Sequence, residues 1–360
     1  MKRFLQQFLL RISIFIPIFF LLIFLSACNR GRGRVLEVAY VSGVQATLRD
    51  HVAAVYEKAG VVKNGDRVEV LDHDRRFVKV RTADGTTGWM EQRYLVSQEV
   101  FDQIQKLTAD NQNDPVQARG VTRNDTNLHV EPGRDTEHLY QISSGEKLSL
   151  LKRDTAEKPG AVAALSRSTS HSASHSTSHS TVPGSKKNEQ DGKPVPVIED
   201  WWLVRDSHNR VGWVLARMID LDVPLDVAQY AEGQRIVAFF VLNQVQDGDK
   251  KVAQYLIVLT EPKDGLPFDF NQIRVFTWNV RRHRYETAYR ERMEGVLPVT
   301  VSQENFEKEG VLPAFVIRVK DDNGNVAERK YKLNTPIVRR VLAPGEEPVR
   351  TVTRKTKRRR

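Results

Sequence analysis

The sequence predicts an all-β protein, with two small barrels followed by a β-sandwich or β-meander domain. Three observations predict it. Apolar and polar residues alternate over short runs separated by turn pairs such as Asp84-Gly85, Asp247-Gly248 and Asn323-Gly324. One unit recurs, most visibly in the pairs Gly88-Trp89 and Gly212-Trp213. A helical period is singled out in one segment, where Val100, Ile104 and Leu107 follow Ser97, a candidate N-cap.

The N-terminus reads as an export signal over residues 1–27. Lys2, Arg3 and Arg11 precede an apolar run from Ile12 to Ala27, shorter than the about 20 residues a spanning helix needs. The run ends in Leu25-Ser26-Ala27-Cys28. This resembles the bacterial lipobox, which implies cleavage before Cys28, acylation of its thiol, and attachment to a lipid bilayer. Cys28 is the only cysteine of 360 residues, so no internal disulfide or thiol nucleophile is available. Residues 28–34 read as a polar, Gly-rich tether. Asn29 after the cysteine points to the outer membrane where the cell has one. The localisation expected is the cell envelope, as a lipoprotein facing the periplasm or displayed on the cell surface.

The first barrel is expected over 35–97, with strands at Val68–Leu71 and Phe77–Arg81 and a hairpin turn at Asp84-Gly85. Residues 98–115 form a linker with the short helix. The second barrel is expected over 116–222. A shift of 80 places Leu48 on Leu128, Gly65 on Gly145 and Leu71 on Leu151. A shift of 124 places Phe77 on Trp201, Val80 on Val204, Arg81 on Arg205, Gly88-Trp89 on Gly212-Trp213 and Arg93 on Arg217. The difference is a 44-residue insertion at a loop tip. Residues 156–195, which contain the Ser/His-rich stretch 166–187, are expected to be disordered.

The second copy runs Thr126–Gly133 with its Pro-Gly turn, then Ser144-Gly145-Glu146, Trp201–Arg205 and Val211-Gly212-Trp213-Val214. This order resembles the bacterial SH3-like domain. The first copy keeps Gly65-Asp66, Phe77–Val80 and Gly88-Trp89-Met90 but lacks the Pro-Gly turn. The resemblance implies a small closed barrel, which removes exposed strand edges. Trp89 and Trp213 are assigned to the core. Trp201 and Trp202 are adjacent, so on a strand one of them should face outward. The outward one, together with Tyr94, is a ligand-binding candidate.

Residues 226–340 form the β-rich domain. Strands are expected at 235–245, 252–260, 273–279, 285–290, 296–301, 314–320 and 326–333. Residues 341–360 are a basic tail expected to be disordered. The net charge is +10, and the three cations before Cys28 with the seven from Arg350 onward account for all of it. The body is neutral, which argues against nucleic acid as a partner.

No catalytic template is present: G-x-S-x-G, H-E-x-x-H, the P-loop and a complete dinucleotide fingerprint are all missing. Asp321–Asn325 places its glycine fourth where a calcium loop needs it sixth, so a hairpin turn is expected. His171, His175 and His179 recur every fourth residue but lack a packed surround. Arg281–Arg284 reads as a polar turn. No cofactor, no metal and no enzymatic activity are expected. The resemblance implies a peptidoglycan or envelope-peptide ligand, the alternative being an assembly component in which the barrels are spacers.

Overall fold

The structure is a computed structural model that describes residues 34–52, 57–163, 195–321 and 323–342. It is built from three antiparallel seven-stranded sheets. The chain divides into two compact units between Gln98 and Glu99.

The first unit holds β1 (Glu37–Val41), β2 (Gln45–Arg49), β3 (Lys58–Lys63), β4 (Arg67–Asp74), β5 (Phe77–Arg81), β6 (Thr87–Glu91) and β7 (Leu95–Ser97). Their order is β3-β2-β6-β5-β4-β1-β7. Alternation puts Val68, Val70, Val78, Val80, Leu48 and Met90 inside. Gly85 turns the β5–β6 hairpin with a positive φ of 89°.

The second unit begins within α1 (Gln98–Asp110), at Glu99, and then repeats the barrel. Its strands are β8 (Ala118–Thr122), β9 (Thr126–His129), β10 (His138–Ile142), β11 (Lys147–Ala163), β12 (Val195–Arg205), β13 (Val211–Leu215) and β14 (Ile219–Leu221). The order β10-β9-β13-β12-β11-β8-β14 matches the first barrel strand for strand. Both copies break register after Val70 and Leu150, leaving Leu71 and Leu151 as equivalent bulge residues. A Cβ on Gly88 would lie 2.8 Å from the Leu48 Cβ, and one on Gly212 would lie 2.8 Å from the Leu128 Cβ. The two offsets read from sequence are therefore the offsets of the fold.

Several expectations are corrected. Trp89 and Trp213 are only half-buried. The glycine beside each packs on the leucine strand, and alternation then sends the indole to the outer face, leaving Met90 and Val214 to fill the interior. The expected disordered stretch starts too early, because β11 continues to Ala163 and pairs with β12 as far as Ala163–Val195. Residues 164–194 lie outside the described residues. The 98–115 segment does more than link. Leu107 and Val116 pack on Leu151, Leu203 and Val211, and Arg205 donates to the carbonyls of Asn111 and Gln112 at 2.7 and 2.8 Å.

The third sheet is a meander: β15 (Arg235–Asp247), β16 (Lys250–Thr260), β17 (Phe270–Asn279), β18 (Arg284–Asn305), β19 (Val311–Lys320), β20 (Val326–Asn334) and β21 (Ile337–Val341). Neighbours in sequence are neighbours in the sheet throughout. The strands expected at 285–290 and 296–301 are one strand, β18, whose first half pairs with β17 and whose second half pairs with β19. Gly295 stands at the crossing, where an added Cβ would fall 2.1 Å from the Phe270 ring. A glycine inside the strand serves that close approach. The strand β21 was not anticipated.

Candidate functional site

Cys28, the proposed lipid attachment residue, lies outside the described residues, as do His171, His175 and His179. Tyr94 belongs to the first unit. It sits half-buried against the barrel core, with Arg93 donating to its hydroxyl at 2.9 Å and placing the guanidinium 4.8 Å from the ring centroid. A shallow surface cavity of about 520 Å³ beside it is lined by Arg76, Glu91, Gln92, Arg93 and Leu95.

Trp201 and Trp202 are both buried, at 2% and 7% exposure. Alternation holds along β12, but its outer face is covered too. Leu203 on that face packs under α1, while the Trp201 ring meets His129 edge-on at 5.2 Å. The expectation that one tryptophan would face solvent therefore fails. Trp202 joins the core shared by the second barrel and the meander, so truncating it would remove about 3–5 kcal/mol of packing.

One side of Trp202 is nevertheless accessible from a cleft of about 290 Å³ between the second barrel and the meander. Arg123, Arg153, Arg217 and Arg235 line it together with Asp200 and Asp264. Four guanidinium groups and two carboxylates line it, and Asp220, Asp269 and Glu199 pair with Arg123, Arg153 and Arg217 from beside it.

Its inner wall is a buried ion network. Arg153 Nη2 lies 2.6 Å from Asp200 Oδ1, and its Nη1 lies 3.2 Å from Asp269 Oδ1. Arg235 bridges Asp200 and Asp264 at 2.8 and 2.7 Å. Burial pushes the Asp269 carboxyl up, while the Leu297 N–H and Arg153 act in the opposite sense. Breaking a buried pair of this kind costs about 3–5 kcal/mol. Nearby, the Gln117 side chain accepts from Val299 N at 2.7 Å and donates to Val299 O at 3.3 Å. The second barrel and the meander are thus joined by a dense polar seam.

At the mouth, Arg123 pairs with Asp220, both half-exposed. Arg217 is 56% exposed and reaches Glu199 only at 3.7 Å. Glu199 is already held by Arg134 at 2.6 Å, which keeps its carboxyl below the usual range. The Arg217 head is therefore the cation of the cleft best placed to meet an incoming anion. Sequence reasoning found Arg217 only as a repeat match of Arg93. Arg123, Arg235 and Asp264 carried no local signal, because tertiary packing alone brings them together.

Glu146, Asp206 and His208 bring possible metal-ligand atoms within 4.8 Å of one another. The Asp206 carboxylate accepts from His208 N, Arg210 N and the Arg210 guanidinium, and Ser207 donates to Glu146. Those oxygens are committed to the turn. Asp321 likewise accepts from Asn323 N and Asn325 N at 2.9 and 2.8 Å, as a hairpin turn does. Among the described residues, no helix is long and apolar enough to cross a membrane.

Residues 46–96 match the family of bacterial SH3 domains, and the chain carries such a domain there. Among curated proteins, none matches at a significant level. Solved structures with similarity include an NlpC/P60 family protein from Bacillus cereus ATCC 10987, at 13% identity and a TM-score of 0.22, covering 83% of this chain and 95% of that one. NlpC2 from Trichomonas vaginalis is 8% identical with a TM-score of 0.17, covering 85% of this chain and 95% of its own. NlpC1 from the same organism gives 8% and 0.17, covering 87% and 93%. Likeness at this level carries no functional inference.

Proposed function

We propose that the chain is a non-catalytic lipoprotein of the bacterial cell envelope, anchored through acylated Cys28, whose SH3-like barrels bind peptidoglycan or envelope peptides. The bacterial SH3 match at 46–96 supports the class of module. The second barrel repeats its strand order. The observation that carries the reading is the cleft floored by Trp202 and rimmed by Arg123 and Arg217. An aromatic floor with a cationic rim suits a peptide bearing carboxylates, since arginine pairs with carboxylate in a fixed fork. The neutral body makes nucleic acid a poor fit as a partner.

A second reading treats the barrels as supports for an assembly surface. It is favoured by the buried seam through Arg153, Asp200 and Asp269, which welds the second barrel to the meander.

One fractionation experiment separates these readings. Cells expressing the wild type, Cys28→Ser or Arg217→Glu are split into membrane and wall fractions, and detergent-released protein is sedimented with isolated sacculi. Cys28→Ser is expected to lose lipid labelling and to leave the membrane fraction. Arg217→Glu is expected to stay in the membrane but to bind sacculi about tenfold more weakly, the scale of one charge-assisted contact. Sacculus binding unchanged in Arg217→Glu would remove the cleft from the function and leave the support reading. Normal maturation of Cys28→Ser would remove the anchor.

A further inference from the structure

A second cavity opens at the far end of the meander strands, around the β15–β16 hairpin and the β17–β18 turn. It measures about 690 Å³, within the range of small-ligand sites. Three aromatic residues line it: Tyr230, from the helical turn after Leu225–Ala228, Trp278 at the end of β17, and Tyr285 at the start of β18. They are held in place from behind. Tyr230 stacks on Phe276 with centroids 5.2 Å apart, and Trp278 meets Tyr285 at 74° and 4.9 Å. The Tyr285 hydroxyl donates to the Ala253 carbonyl at 2.9 Å.

The polar groups converge on the same opening. Asp247 Oδ2 accepts from Trp278 Nε1 at 2.7 Å and from His283 Nδ1 at 2.7 Å. That arrangement locks the indole and the imidazole while leaving Oδ1 as an acceptor. Asp226, Lys250 and Arg284 complete the rim. His283 is held at a positive φ of 47° in the turn that presents it. In the sequence, Arg281–Arg284 reads as a polar turn. The fold turns His283 and Arg284 of that segment into a wall beside three aromatic rings.

We propose that this pocket binds a neutral saccharide. Two lining carboxylates, Asp226 and Asp247, face two lining cations, Lys250 and Arg284, and Glu286 beside them is shared by Arg282 and Arg284, so three carboxylates balance three cations around the rim. A quaternary ammonium would want an acidic cage and an anion a basic one. A pyranose suits this lining: aromatic surface for its C–H groups and a rim of mixed donors and acceptors for its hydroxyls. Nothing in this inference rests on the barrels or the Trp202 cleft, and it adds a second recognition surface on the meander.

Calorimetric titration of the full chain with chitotetraose, cellotetraose and tetramethylammonium tests it. The wild type is expected to bind at least one tetrasaccharide saturably and to ignore tetramethylammonium. Tyr230→Ala is expected to weaken that binding about tenfold through lost stacking. Lys250→Ala, at an exposed hairpin tip, is expected to weaken it a few-fold with an unchanged melting temperature, which guards against a folding artefact in Tyr230→Ala. Arg217→Glu is expected to leave it unchanged, which separates this pocket from the cleft. Absence of tetrasaccharide binding at millimolar concentration would overturn the proposal. Equal affinity in the wild type and both pocket variants, or binding of tetramethylammonium in place of sugar, would do the same.

Discussion

Gly88 and Gly212 meet the same obstacle, a leucine Cβ on the neighbouring strand that leaves no room for a side chain. That contact explains why a Gly-Trp pair marks each barrel, and it also shows where sequence reading went astray. The conspicuous tryptophan attracts the core assignment, yet the inconspicuous glycine occupies the crowded position. His129 teaches a related lesson, since it is nearly buried against Trp201, with Nδ1 3.0 Å from Thr136 Oγ1. Burial first, and the His138 ring second, lower its pKa from 6.5 to about 4. A histidine with a depressed folded pKa binds its proton more readily in the unfolded chain. Its contribution is therefore complete above pH 6.5 and is lost progressively as pH falls toward 4, by at most about 3 kcal/mol. Thermal melts between pH 7 and 4 should show a steep loss of stability for the second unit, flattened in His129→Gln. An identical slope in the variant would assign the acid sensitivity to other groups.

At the scale of elements, β11 and β12 show how an insertion is tolerated. The two strands carry on beyond the barrel as paired arms, through Glu157–Ile198 to Ala163–Val195. The sequence places the insertion between Leu151 and Trp201, the interval that β11 and β12 flank as a pair. It could not show how far the arms extend, since Thr155 to Ala163 has mixed polarity and no clean alternation. In β18 the two segments expected at 285–290 and 296–301 are one strand, and Gly295 between them is where the Phe270 ring leaves no room for a side chain. Because Ala163 and Val195 already face each other, an Asn-Gly pair replacing 164–194 can close the hairpin. Shortening the connection lowers the entropy cost of closing it and should raise stability by up to about 2 kcal/mol. Retention of one cooperative transition at an equal or higher temperature is the expected outcome. Broadening or loss of that transition would show that 164–194 contributes to the fold.

At the scale of the whole molecule, the distribution of charge lets two proposed modes of attachment be told apart. The seven cations from Arg350 to Arg360 lie outside the described residues, while the body from 28 to 349 is neutral overall. The tail was legible in the sequence as a run of like charge. The Trp202 cleft was not, because its cations span positions 123 to 235 and meet only after the second barrel docks on the meander. These two kinds of positive charge respond differently to salt. Attraction of the seven C-terminal cations to wall or membrane anions would be screened beyond a Debye length of about 8 Å at physiological ionic strength. A carboxylate seated on Arg217 beside an indole floor is partly removed from solvent, and its hydrogen bonds and burial persist as salt rises. Deleting Arg350 to Arg360 should therefore weaken sacculus binding at low salt and change it little at physiological salt. Arg217→Glu should weaken binding under both conditions. Sedimentation with sacculi across a salt series reads both effects at once. If tail deletion abolishes binding at every ionic strength while Arg217→Glu is silent, attachment runs through the tail. The support reading then replaces the binding one, with the Arg153–Asp200–Asp269 seam fixing the second barrel to the meander.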